Sequence, residues 1–244
     1  MQVMAFRSND FMDKNALKNR GKKVVIAIDG PAASGKGTLA RKIAERFGFV
    51  HLDTGMLYRG LGYAVINQGK NPEDETDVKS CLGDFLKNLN KKTLSNPALR
   101  TDEVGSAASK VAAIPFVRTA LLDYQRDFSK SQPEKVLGVV LDGRDIGTVV
   151  CPDADIKVFV TASAEVRAER RYKELLSRGI DTDFDTVFED IKQRDERDSN
   201  RPVAPLKPAV DSYQLDTSQL NTAEALGQVI DVIRAQLVKS APKP

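Results

Sequence analysis

Residues 26–39, IAIDGPAASGKGTL, constrain the chain more than any other segment. An apolar run, KVVIAID (23–29), leads into Gly30, and Leu39, Ile43 and Phe47 then recur at spacing four. That is a strand turning into an amphipathic helix. Between them Gly30, Pro31, Ala32, Ala33, Ser34, Gly35 and Lys36 satisfy the pattern G-x-x-x-x-G-K. Glycine lets successive backbone N–H groups face inward, making an anion nest backed by a helix N-terminus. The Lys36 ammonium then suits the β- and γ-phosphates of a nucleoside triphosphate. The bland alternative is a glycine-rich turn with an exposed lysine. Gly37 follows the lysine where a serine or threonine normally ligates Mg²⁺, and Thr38 arrives one place late. Mg²⁺ is therefore expected on ATP oxygens and waters, with no side chain assigned as a direct ligand.

Further strand signals follow. FVHLD (49–53), VLGVVLD (136–142) and IKVFVTA (156–162) are short and nearly continuous in apolar content, and SYQLD (212–216) is weaker. Continuous apolarity suits strands buried on both faces of a parallel sheet. Helical stripes separate them: Val78, Leu82, Phe85, Leu86 and Leu89; Val117, Leu121, Tyr124 and Phe128; Leu226, Val229, Ile230, Ile233 and Leu237. Asn221 followed by Glu224 reads as a helix cap. The expected fold is α/β: a three-layer αβα P-loop domain with a five-stranded parallel sheet and right-handed crossovers. It spans 21–240. A mostly helical insertion at 59–135 and an arginine-rich short lid at about 163–182 both follow strand ends, where such sheets place ligands. Residues 1–20 and 241–244 are expected to be disordered tails.

Several function classes are excluded by what is scarce. No apolar run approaches the about 18 residues of a membrane span. A net charge of +3 gives no general attraction to nucleic acid. Cys81 and Cys151 lie far apart in sequence, which suits a reducing cytoplasm. His51, the one histidine, argues against a histidine-rich zinc site or a His-based triad, and is expected to be packed inside the second strand.

Three more stretches carry chemistry: LDTGMLYRG (52–60), LDGRDIGT (141–148) and RDERDSNRPVAPL (194–206). Asp142 ends an apolar strand, where a carboxylate meets hydrated Mg²⁺ or merely caps a turn. Arg144 and Arg59 suit a phosphate monoester, because a planar guanidinium matches its oxygens; a surface ion pair is the plain alternative. Arg194, Arg197, Asp198 and Arg201 share one face if the helix persists to Arg201. They are either intrahelical ion pairs or positive charge brought over a transferring phosphoryl group. The same choice holds for Arg167, Arg170 and Arg171.

The loop GPAASGKGT resembles that of nucleoside monophosphate kinases. With the other three stretches, in consistent order over about residues 22–238, the chain is similar to bacterial cytidylate kinases. That resemblance implies MgATP along Gly30, Pro31, Ala32, Ala33, Ser34, Gly35, Lys36, Gly37 and Thr38, with Arg167, Arg170 and Arg171 in the lid over it. It places Arg59, Arg144 and Arg194 on the acceptor phosphate and Asp198 on the ribose. Ser109, Arg118, Asp145 and Arg201 surround the pyrimidine, and Thr54 and Tyr58 stand in the LDTGMLYRG motif beside the acceptor. Lys36, Asp142, Arg144, Arg170 and Arg194 would carry the transfer. Many bacterial members carry a β-hairpin in the acceptor-side insertion, whereas residues 91–102 here leave little room for one.

The implied activity is ATP-dependent phosphorylation of CMP, and of dCMP, by a cytoplasmic monomer that binds neither a nucleic-acid polymer nor a membrane. Rival readings are a kinase for UMP, AMP or shikimate, and a nucleotide-binding switch. An arginine-rich RNA-binding surface is a third, against which balanced charge and 6% aromatic residues count.

Overall fold

The computed structural model describes Leu17 and residues 22–239. The expected tails at 1–20 and 241–244 lie outside the described residues, apart from Leu17, which packs into the largest core cluster. Five parallel strands, β1 (Val24–Asp29), β2 (Val50–Asp53), β3 (Gly138–Gly143), β4 (Ile156–Thr161) and β5 (Tyr213–Asp216), lie in the order β2-β3-β1-β4-β5. The carboxyl ends of all five strands are therefore on one edge of the sheet, and the first crossover leaves β1 through the glycine-rich loop.

The apolar strands divide their side chains by the two-residue period of the pleat. Val24, Ile26 and Ile28 of β1 and Val140 of β3 face α1 (Lys36–Phe47) and α9 (Thr222–Lys239). Ala27, Val139 and Leu141 face the opposite layer, with Leu122 and Phe128 of α6 (Pro115–Lys130). Both faces are covered, which is why these strands read as unbroken apolar runs. The capping box at the start of α9 forms as the sequence suggests. Asn221 Oδ1 accepts from the backbone of Ala223 and Glu224, and Glu224 Oε2 accepts from Asn221 N at 2.9 Å.

Between β2 and β3 the chain forms α2 (Gly55–Ile66), α3 (Glu75–Lys87), a short α4 (Lys91–Leu94), a 3₁₀ turn (Pro97–Arg100), α5 (Asp102–Val111) and α6. No strand interrupts residues 91–102. These helices have their own core of Leu57, Leu61, Val78, Phe85, Val111 and Leu121. Gly62 lets α2 meet α5 closely, since a methyl there would lie 2.9 Å from Ala108 N. Leu89, assigned from its spacing to the α3 stripe, falls just past that helix's end. After β4, α7 (Ala164–Ser177) and α8 (Phe184–Asn200) pair through Ala168, Leu175, Val187 and Ile191. α8 stops at Asn200, so Arg201 caps it in an extended conformation rather than continuing it.

Candidate active site

The glycine-rich loop is held in an unusual backbone path by its surroundings. Gly30 has φ 153°, and a methyl there would sit 2.0 Å from the Val160 carbonyl oxygen. Gly35 (φ 90°) and Ala33 (φ 56°) are both left-handed. Ser34 Oγ is buried with no hydrogen-bond partner. Lys36 folds back to donate to the Pro31 carbonyl at 3.0 Å. Burial, then the nearby Arg144, lower its pKa to about 7. A lysine so destabilised in its charged form is a site that an anion completes.

Facing it are two carboxylates. Asp142, next to last in β3, is 2% exposed; its carbonyl accepts from the backbone and hydroxyl of Thr54 at 3.0 and 2.8 Å. Its Oδ1 lies 2.6 Å from His51 Nε2, so His51 is half-buried and paired rather than simply packed in the core. Its Oδ2 faces the loop, 3.5 Å from where a Gly37 side chain would begin. Asp53, at the end of β2, has its pKa raised by burial and by Asp142. Two crowded carboxylates beside the phosphate loop fit a hydrated divalent cation.

Across the cleft, positive charge converges. Arg59 donates to the carbonyls of Leu99 and Thr101 at 2.7 and 3.1 Å. Burial and Arg194 lower its pKa to about 10. Arg194 is likewise lowered by burial and by Arg144. Both guanidinium groups reach over Gly105, where a methyl would lie 2.9 and 3.2 Å from them. Among the described residues Arg194 has no carboxylate partner. The carboxylate one helical turn beyond it, Asp198, instead receives Arg144 Nε at 2.7 Å and Ser109 Oγ at 3.4 Å. Burial would raise the Asp198 pKa, but Arg144, Arg201 and Arg194 together hold it below the usual carboxylate range.

The far end of the cleft is a buried polar cluster. Asp145, 5% exposed, accepts from Arg118 and lies 3.6 Å from Arg201 Nη2. That Nη2 is buried and makes no hydrogen bond. The Arg118 guanidinium sits 5.5 Å from the centre of the Tyr58 ring. All of these groups line one cleft of about 260 Å³, shared with Lys36, Asp53, Asp142, Arg144 and Arg171.

A second cleft, about 450 Å³, opens on the other side of the loop between Ser34, Thr38, Arg170, Thr217, Leu220 and Asn221. Arg170 donates to the hydroxyl and carbonyl of Thr217 at 2.9 and 2.6 Å. Arg171 stands between the two clefts, paired to Asp102 of α5 and to Glu174. Gly30 and Pro31 line neither cleft but set the path of the loop. Arg167 also lines neither; its donors are occupied by Asp195, Ala162 O and Ala32 O, so it braces the loop against α8.

Sequence reasoning missed Asp29, Asp53, Gly105 and Thr217. Asp29, Asp53 and Thr217 each stand at or just after a strand end, which is the signal that could have found them. Gly105 carries no such signal, because its role is the space it leaves for two arginines.

The profile described as cytidylate kinase matches residues 26–235. Cytidylate kinase of Rhodospirillum rubrum is 53% identical over 210 residues, covering 86% of this chain and 97% of that protein. Cytidylate kinase of Xanthobacter autotrophicus is 53% identical over 213 residues, covering 87% and 98%. That of Bradyrhizobium diazoefficiens is 50% identical over 212 residues, covering 87% and 96%. A match so nearly end to end, over a strand–loop–helix nest and a cleft of converging arginines, makes this chain a member of the cytidylate kinase family.

Proposed function

We propose that the two clefts bring MgATP and CMP together for direct transfer of the γ-phosphoryl group, with dCMP accepted as well. The observation that carries this reading is the acceptor cleft. Arg59 and Arg194 converge there with no salt-bridge partner among the described residues, and Arg144, paired to Asp198, lines the same cleft opposite the phosphate-loop lysine. An acceptor phosphate dianion supplies the missing charge.

The loop amides and Lys36 hold the triphosphate, and Arg170, with Thr217 behind it, closes on the donor side. Arg171 adds positive charge between the clefts. Bound Mg²⁺ would neutralise β- and γ-oxygens, with Asp142 and Asp53 holding its waters; the crowding of those carboxylates fits that role. Arg59 and Arg194 grip the acceptor phosphate, and Arg144 reaches it from the tip after β3. Asp198, kept ionised by its arginines, accepts from a ribose hydroxyl. At the far end, Asp145 accepts from the cytosine amino group while Arg118 and Arg201 Nη2, which makes no hydrogen bond within the protein, donate to the ring acceptors. Catalysis then consists of alignment and charge stabilisation, with no covalent enzyme intermediate. Closure of the insertion and lid keeps water from the transferring group.

One chain supplies a full set of these groups, so a monomer suffices for the proposed reaction. No described helix is long and apolar enough to cross a membrane, and the free, buried cysteines fit a cytoplasmic setting. A coupled ADP-release assay over CMP, dCMP, UMP, AMP and shikimate tests the reading. CMP and dCMP should lead; equal rates with UMP or AMP would remove the base-reading assignment.

A further inference from the structure

Asp29 precedes the glycine-rich loop and touches neither cleft, yet its carboxylate is 5% exposed. Its two oxygens accept from the backbone N–H of Ile146 and of Gly147, each at 2.7 Å. Those residues open the π-helical turn Ile146–Val150, directly after Arg144 and Asp145. Gly147 fits closely there, since a methyl would lie 3.4 Å from Asp29 Oδ2 and 3.2 Å from the Lys157 side chain. One carboxylate thus ties the end of the strand that launches the phosphate loop to the tip that carries two acceptor-side groups.

We infer that Asp29 is a positioning residue that fixes the Arg144–Asp145 tip in register with the phosphate loop, and so sets the acceptor against the transferring phosphoryl group. This rests on the reading of Arg144 and Asp145 as acceptor groups. The alternative is a strut that serves only stability. Burial raises the Asp29 pKa to about 6 against the two N–H groups that lower it. The sign follows. A carboxyl with a raised folded pKa contributes stability that is present below about pH 4 and is lost as pH rises through about 6. At neutral pH the ionised form therefore weakens the fold, and a residue kept there for stability alone is better neutral.

The test is Asp29→Asn in the full chain. An amide oxygen replaces one acceptor, while its NH₂ faces a backbone donor and leaves that N–H unpaired. The expected result is a kcat/KM for CMP reduced about tenfold or more, KM for ATP within threefold of wild type, and a melting temperature at pH 8 that does not fall. A KM for ATP raised as much as kcat/KM for CMP falls, or unchanged CMP kinetics, overturns the inference. If Asp29→Asn does not fold, Gly147→Ala must show the same split in weaker form; wild-type CMP kinetics there overturn it equally. Asp145→Ala separates the two levels. An unchanged CMP-to-UMP ratio in that variant removes the base-reading assignment, whereas the role of Asp29 is read from CMP kinetics and from the double variant. If Asp29 acts through the tip, Asp29→Asn costs less in the Asp145→Ala background than alone.

Discussion

The donor and acceptor sides of the cleft are built from different materials. On the proposed reading the donor side is nearly contiguous: residues 32–38 would supply backbone amides and one lysine, on a path that Gly30 and Pro31 set. The acceptor side draws side chains from α2, α5, α6, the tip after β3, α8 and its cap, so residues from Arg59 to Arg201 meet only when folded. A backbone nest would recognise polyphosphate in any triphosphate, because every residue except proline offers the same N–H. Discrimination needs side chains of fixed identity, and those are gathered from wherever the fold brings them close. On that reading, general binding and specific reading are separated along the chain as well as in space.

The widest test of that division strikes the donor side. Lys36→Ala should reduce turnover a hundred- to a thousandfold with every acceptor alike, since removing one positioned electrostatic donor costs about 2.7–4 kcal/mol. Steady-state assays with CMP and dCMP check it, with circular dichroism to show the fold is intact. Turnover within tenfold of wild type would break the phosphate-loop assignment.

Arg194→Ala comes next and belongs to the acceptor side. Among the described residues Arg194 has no carboxylate partner, and it converges with Arg59 above Gly105, so its loss should lower kcat/KM for CMP by about a hundredfold. Arg178→Ala is the control: it caps α7, donates to the Arg100 carbonyl at 3.2 Å and lies outside both clefts. A fewfold change is expected there. Equal effects in the two variants would make the α8 face an ordinary solvated surface.

Specificity gives a sharper but smaller effect. Asp145→Ala should bring CMP and UMP closer in kcat/KM, mostly through loss with CMP. A carboxylate facing uracil O4 has no proton to share, and buried unmatched polar groups discriminate strongly. An unchanged ratio would return Asp145 to a plain partner of Arg118 and Arg201.

How legible each side was follows from the same difference. The loop, the strands and the α9 cap could be read because their signals are local: a glycine spacing, an apolar run, Asn221 three residues before Glu224. The acceptor arginines stood out as charges at strand ends or along one helix face, but an ion pair was an equal reading for Arg194 until the fold turned Asp198 toward Arg144. Arg167 shows the limit. It shares a helix face with Arg170 and Arg171, yet a bidentate pair with Asp195 removes it from both clefts. His51 shows another, since its partner Asp142 lies on a neighbouring strand and the pairing is set by sheet register. Asp29 was invisible as a tether because the N–H groups it holds are far along the chain.

The smallest expected effect concerns protons on the donor side. Burial and the nearby Arg144 hold the Lys36 pKa at about 7, against an ordinary value of 10.5. Bound phosphate oxygens favour the ammonium and raise that value again. Binding of ATP near pH 8 should therefore take up a proton, by up to about one per site as pH rises above 7. Calorimetric titration in buffers of different ionisation enthalpy measures this directly. The linkage has a second face in the free protein. A lysine depressed in the folded state leaves the unfolded chain binding the extra proton between about pH 7 and 10.5, so stability falls as pH is lowered through that window. Added ATP should offset the fall most strongly near pH 7–8, where the charged lysine gains its partner. In Lys36→Met both the proton uptake and this part of the pH dependence should vanish. If uptake persisted in Lys36→Met, the proton would belong to the acceptor side or to the nucleotide, and the donor side would rest on its backbone amides alone.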